Sequence, residues 1–222
     1  YQKYAFDEVY RLVLNFMSVD LSSFYLDFTK DILYIESQND ISRRSIQTVF
    51  YDNLDALVRL LTPFIPYTTE EVYSFMVNVK DKQESVYLLD MIEPKHFSNE
   101  NELIEKYTKL MLFRSDVLKA IEEARNQKII GKSLSAKLVI NPSLETKELL
   151  NSLKADLKTV FIVSELVITD EEIEGIKFDS GIIQVTARNG IICKRCWQVV
   201  DEVNEDGICD RCENVVKKLE EE

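Results

Sequence analysis

The sequence predicts a mainly α chain with a smaller α+β part: an antiparallel helical bundle, then an α+β segment, then a knuckle or ribbon built on four cysteines. Three observations predict it. All five glycines lie at or beyond Gly131, so the first 130 residues lack the residue that most often opens a turn. Apolar residues in that stretch recur three and four apart, the period of one helix face. All four cysteines fall in the last 30 residues.

Taken in order, Phe6, Val9, Val13 and Phe16 form the stripe of a first helix. A second is expected from Asp20, a good N-cap, with Leu21, Phe24, Tyr25 and Phe28 inward. The third runs from about Asp40 to Thr62 on Ile46, Phe50, Leu54, Leu57, Val58 and Leu61, and Pro63 and Pro66 stop it. Thr68 and Glu71 predict a capping box opening a fourth helix with Val72 and Phe75 inward. Four amphipathic helices on short joins imply the bundle, residues 1–90.

Residues 78–100 read as an irregular link carrying Lys80, Asp81, Lys82 and Glu84 before Pro94. A long helix follows, from about Glu102 to Lys128, on Leu103, Leu110, Phe113, Val117 and Ile121, with Gly131 beyond its end. After it the period changes. Ala136–Ile140 and Thr159–Val163 read as strands flanking a helix at Leu144–Leu157. Lys177–Phe178 and Ile182–Arg188 read as a hairpin around Asp179-Ser-Gly181. Residues 101–188 thus form a long helix with a small α+β unit, and 189–222 the cysteine module, ending in the acidic tail Glu220–Glu222.

At 222 residues and 45% hydrophobic, the chain suits one or two domains of about 150 residues, with a core that needs no disulfide staples. No apolar run approaches the ~18 residues of a membrane span, and the opening YQKYAFDEVY is not a signal peptide, so the expected location is the cytoplasm. A single histidine, His96, excludes paired-histidine metal chemistry and leaves one candidate base for a Ser–His or Cys–His nucleophile. No catalytic residue is assigned.

Cys193-Lys-Arg-Cys196, twelve residues, then Cys209-Asp-Arg-Cys212 is the spacing of a tetrahedral four-sulfur metal site. Structural zinc, one ion, is the reading. A rubredoxin-like iron, a redox dithiol and plain thiols are the alternatives; rubredoxin-like knuckles usually carry glycine where Trp197 and Glu213 stand. Gly207 suits the tight turn before the second pair. Lys194, Arg195 and Arg211, between the ligands, can offset thiolate charge or reach phosphates. Trp197 can pack over the metal or stack on an unpaired base, and packing is the expected role.

The net charge of −12 speaks against nucleic acid, because phosphate contacts need lysine and arginine. The basic residues cluster, however. Arg125, Lys128, Lys132 and Lys137 come without an intervening acid, and Arg43 and Arg44 sit one turn before Gln47. The plain alternative for each is a solvated helix face.

Several strings, in one order, resemble isoleucyl-tRNA synthetases. They are Asp20-Leu21-Ser22-Ser23-Phe24-Tyr25-Leu26-Asp27, Lys30-Asp31-Ile32-Leu33-Tyr34, Arg43-Arg44-Ser45-Ile46-Gln47-Thr48, Leu60–Pro66 with Glu70-Glu71, and Ala124-Arg125 leading to Ile130–Leu134. The closing cysteine pairs with Trp197 resemble the C-terminal zinc module of the bacterial type. Essentially the whole chain is covered. Three positions depart from the family pattern: Ile32 stands where many relatives are basic, Tyr67 near a histidine position, and Tyr73 in place of tryptophan. The first puts one backbone contact in doubt; the other two read as packing changes.

The resemblance implies an anticodon-binding domain plus zinc module, an excised C-terminal portion without the family's HIGH and KMSKS signatures or editing domain. It implies isoleucine-specific tRNA as partner, the remaining synthetase domains in cis, no membrane, and a monomer. ATP-dependent aminoacylation would be carried out by domains absent from this chain. The RNA-facing candidates are Arg43, Arg44, Gln47, Lys128, Lys132, Arg195 and Trp197. The alternatives are a zinc-ribbon protein-interaction module with no RNA role, and a redox protein cycling its CxxC thiols.

Overall fold

A computed structural model describes residues 1–77, 82–153 and 156–220. Lys80 and Asp81 of the expected link, part of the expected Leu144–Leu157 helix, and the last two residues of the acidic tail lie outside the described residues. The chain divides into two units, one of Tyr1–Leu26 with Gln38–Phe97, the other of Asp27–Ser37 with Ser98–Glu222. The fold is a helical part followed by an α+β part, as the period change predicts. Among the described residues, no helix is long and apolar enough to cross a membrane.

The first unit opens with α1 (Phe6–Asn15), which widens into a π-helical stretch, Phe16–Leu26. The expected start at Asp20 is therefore absent: the chain stays helical there and passes directly into α2 (Asp27–Ile35) of the second unit. Helix α3 (Ile41–Leu61) is capped by Asp40, whose carboxylate accepts from the Ser42 and Arg43 amides at 2.8 and 3.1 Å. Asp40→Ala is expected to cost about 1 kcal/mol, read as an earlier denaturant midpoint, because two helix-end amides lose their acceptor.

Helix α4 (Pro66–Phe75) begins with proline in its first turn, where the missing amide costs nothing. That placement overrides the expected capping box: Ile65 is the cap, and the Thr69 hydroxyl donates back to Ile65 and Pro66 carbonyls at 3.1 Å. The inward face is Thr69 and Tyr73, not Phe75, which is 79% exposed. Val58, Tyr73, Met76 and Val86 make this core. Tyr73 fits its packing reading, buried with its hydroxyl accepting from the Gln83 amide at 2.9 Å. Tyr67 does not; it is 91% exposed.

In the second unit, α5 (Glu100–Asn126) buries Leu110, Phe113, Val117, Ala120, Ile121 and Ala124, one stripe at helical spacing. It faces a four-stranded sheet ordered β2–β1–β4–β3, with β1 (Ala136–Pro142) parallel to β2 (Glu165–Ile168). β1 is antiparallel to β4 (Gly181–Ala187), which pairs with β3 (Ile176–Phe178) in the expected hairpin. Alternate residues Ala136, Leu138 and Ile140 of β1 point inward and are fully buried.

The crossover from β1 to β2 carries α6 (Leu144–Ser152) and α7 (Leu157–Phe161). The β-branched run Thr159–Val163 is thus mostly a helical turn rather than a strand. Asp156 caps it, accepting from the Lys158 amide and the Thr159 hydroxyl, and Ile162 ends it in the left-handed region. The strand comes three residues later. A two-stranded ribbon, β5 (Ile191–Ile192) with β6 (Val199–Val200), and a last helix α8 (Asp210–Glu220) complete the unit.

Candidate metal centre and nucleic-acid interface

Cys193 to Cys196 form the tip between β5 and β6, closed by the Cys193 amide donating to Gln198 O and the Trp197 amide to Cys193 O, both at 2.9 Å. This tight tip holds Trp197 at φ +64°, a left-handed conformation that is rare for a bulky residue. Cys209 precedes α8 and Cys212 lies in its first turn. Asn204 and Gly207 bend the chain into Cys209: the Asn204 side chain accepts from the Asp206 and Ile208 amides, and Gly207 adopts φ +79°. A Cβ at Gly207 would meet only the flexible end of the Lys194 side chain, so it is the backbone conformation that calls for glycine.

The four sulfurs lie within 4.8 Å of one another and all four residues are buried. Cys193 and Cys212 Sγ are 3.7 Å apart, Cys196 and Cys209 Sγ 3.8 Å, and no pair is bonded. A metal with sulfur bonds of roughly 2.3 Å in a tetrahedron has edges of roughly 3.8 Å. The cluster can hold a metal ion as it stands. Burial pushes the Cys196 thiol up and the Cys212 thiol up to about 11, the latter opposed by the Arg195 guanidinium. Burial acts upward on Cys193 too, but the amides of Cys196, Cys209 and Arg195 outweigh it and bring it down to about 6. Only a cation can hold all four as thiolates together.

The charged residues between the ligands divide. Arg195 donates from Nη2 to the Ile35 carbonyl at 2.8 Å. Arg211 pairs with Asp31 of α2 and Glu36 just beyond it, each at 2.6 Å, so these carboxylates rather than the sulfurs absorb its charge, which raises its pKa against the opposing effect of burial. Lys194 lies over Gly207 with its ammonium exposed.

Beside the sulfurs opens a cleft of about 280 Å³ whose walls are mostly apolar: Phe28, Tyr34 and Ile35 of α2, Ile162, Val163 and Trp197. Lys30, Lys158 and Arg195 also line it. Trp197 is 69% exposed and Tyr34 78%, so the expected packing role for Trp197 is corrected: its ring covers nothing completely and faces solvent. Tyr34 and Lys158 escaped site assignment, because no local pattern brings α2 and α7 to the cysteine tip.

Arg43, Arg44 and Gln47 fall in the first two turns of α3, in the first unit, with Arg44 Nη1 donating to Gln47 Oε1 at 3.4 Å. Arg44 and Gln47 are exposed and Arg43 half-buried. Lys128 and Lys132 are exposed on the loop after α5; Lys128 itself takes the left-handed turn (φ +59°) that Gly131 was expected to mark. Their neighbours Arg125 and Lys137 are paired with Glu122 and Glu165. Arg195 and Trp197 share the cleft, which neither Lys128 nor Lys132 lines.

A sequence profile of the family described as "Anticodon-binding domain of tRNA ligase" matches residues 1–140. The isoleucine–tRNA ligase of Bacillus cytotoxicus is 46% identical over 226 residues, covering 98% of this chain and 24% of that protein. Those of Enterococcus faecalis and Lactobacillus acidophilus are 43% and 42% identical with the same coverage. The chain spans about a quarter of the length of the curated relatives it matches.

Proposed function

Since the chain belongs to the anticodon-binding domain family of tRNA ligases, we propose that it is the part of an isoleucine–tRNA ligase that holds the anticodon stem-loop of isoleucine tRNA. The supporting observation is that near-complete coverage of the chain by isoleucine–tRNA ligases includes the cysteine module as well as the helical part. Its chemistry is positioning. An anticodon loop exposes base edges and faces that a paired helix hides, and these are held by hydrogen bonds and stacking. Arg44 and Gln47 present an exposed basic and amide edge beside the half-buried Arg43, Lys128 and Lys132 offer ammonium groups to phosphate, and Trp197 with Arg195 offers a stacking face and a cation. Aminoacylation with ATP belongs to the rest of the ligase in cis, and the assembly is a monomer in the cytoplasm.

The division of work follows residues 1–90, 101–188 and 189–222, the last organised by one zinc ion on Cys193, Cys196, Cys209 and Cys212. Zinc on four thiolates supplies closure of the fold and no open position for chemistry. Elemental analysis finding one zinc per colourless chain supports this; bound iron or thiols that cycle with disulfides refute it.

Filter binding of isoleucine tRNA against an unrelated tRNA tests the functional reading. A clear preference is expected; equal retention refutes it and favours a protein-interaction module. Arg44→Ala is expected to weaken tRNA binding and to lower the slope of log K against log salt by about 1, the signature of one lost phosphate contact, with unchanged circular dichroism. Unaltered affinity at low and moderate salt removes Arg44 from the interface.

A further inference from the structure

We propose that the cysteine module is a latch for the C-terminal half of α2: filling the sulfur site seats Asp31–Ser37, and emptying it releases them. The inference rests on the metal reading above. Helix α2 is flanked in sequence by first-unit segments, yet it groups with the second unit. Its last residue, Ile35, is buried in one apolar cluster with all four cysteines. Each CxxC pair encloses one arginine, and both turn to the same helix end. Arg195, between Cys193 and Cys196, donates to the Ile35 carbonyl, one of the terminal carbonyls that a helix leaves without an internal partner. Arg211, between Cys209 and Cys212, grips Asp31 and Glu36 at 2.6 Å and donates from Nε to Glu36 at 2.8 Å.

Each arginine stands two residues after one ligand and one before the next, so four sulfurs drawn onto one ion fix both guanidinium groups. Apart from the sulfurs themselves, the two knuckles are tied by the Lys194 amide donating to Gly207 O and the Cys209 amide donating to Cys193 Sγ, and neither bond reaches α2. The other half of α2 is held differently: Thr29 is fully buried, and Asp27 lies beside Arg114 of α5. The latch therefore acts on the last turns alone.

Amide hydrogen exchange on the whole chain tests this, with bound zinc counted in each sample. Stripping the metal with a chelator should speed exchange at 31–37 together with 191–212, by roughly ten- to a hundredfold, the factor a charge-assisted hydrogen bond carries. Leu138 and Ile183 in the sheet should not change, and added zinc should restore protection. Arg211→Gln, with zinc still counted at one per chain, should loosen 31–37 alone. Protection of 31–37 that survives metal removal, or that survives Arg211→Gln with zinc bound, overturns the latch. A chain that carries no metal and already protects 31–37 overturns the latch and the metal reading together. Because no readout uses RNA, failure of tRNA recognition is a separate result.

Discussion

Replacing Cys212 with serine empties the sulfur site and melts the ribbon and last helix, while the four-stranded sheet stays folded. Cys212 is fully buried, in the first turn of α8, 3.7 Å from Cys193 Sγ. A serine hydroxyl there stays protonated at neutral pH and is too hard and short to replace a thiolate. Three remaining sulfurs lose both the closed tetrahedron and its charge balance. Structural zinc sites contribute about 10–16 kcal/mol of apparent binding energy, which in such modules is folding energy, so zinc affinity should fall on the order of a thousandfold or more. Metal analysis should find far less than one equivalent, and exchange protection should vanish across 191–220. Leu138, Ile140 and Ile183, packed under α5, should keep theirs. A Cys212→Ser chain that retains one tightly held zinc contradicts the assignment.

The second large effect separates folding from binding. Trp197→Gly should leave the chain at least as stable as before and weaken tRNA binding roughly five- to 150-fold. Tryptophan at φ +64° carries a backbone cost on the order of 1–2 kcal/mol that glycine does not. Its ring is 69% exposed, so little packing is lost to offset that relief. Stacking of an unpaired base on an exposed ring is worth about 1–3 kcal/mol, which gives the expected loss of affinity. A ring that served only to pack would produce the reverse pattern: a lower melting temperature with unchanged affinity. Thermal unfolding and tRNA titration on the same variant distinguish them.

The long-range layout was readable where one strong periodic signal spans many residues. Leu110, Phe113, Val117 and Ile121 marked α5, and the Asp-Ser-Gly turn marked the β3–β4 hairpin. The cysteine cluster was readable too, because ligand spacing is local. Short segments failed where a polar cap outweighed side-chain propensity: Asp156 made Thr159–Val163 a helical turn, and Pro66 moved the start of α4 two residues ahead of the expected box. Asp20 failed for the opposite reason, as a good cap residue inside a helix that continues through it. The cleft was unreadable, since it joins Tyr34, Lys158 and Trp197 from three distant segments. So was the exposure of Trp197, which depends on a tip geometry that composition does not encode.

The bonds from the cysteine module to α2 also set a timetable for synthesis. Arg195 is 160 positions from Ile35, and Arg211 is 175 from Glu36. On a ribosome adding about 5–20 residues per second, α2 emerges roughly 8–35 s before its partners exist. During that interval Ile35 lacks its cysteine neighbours, and Asp31 and Glu36 lack Arg211; such far-apart pairings are the slow part of any folding reaction. The second unit therefore becomes whole only as its final segment leaves the tunnel, and translation stalled ahead of Cys212 yields a chain whose early helix is still waiting.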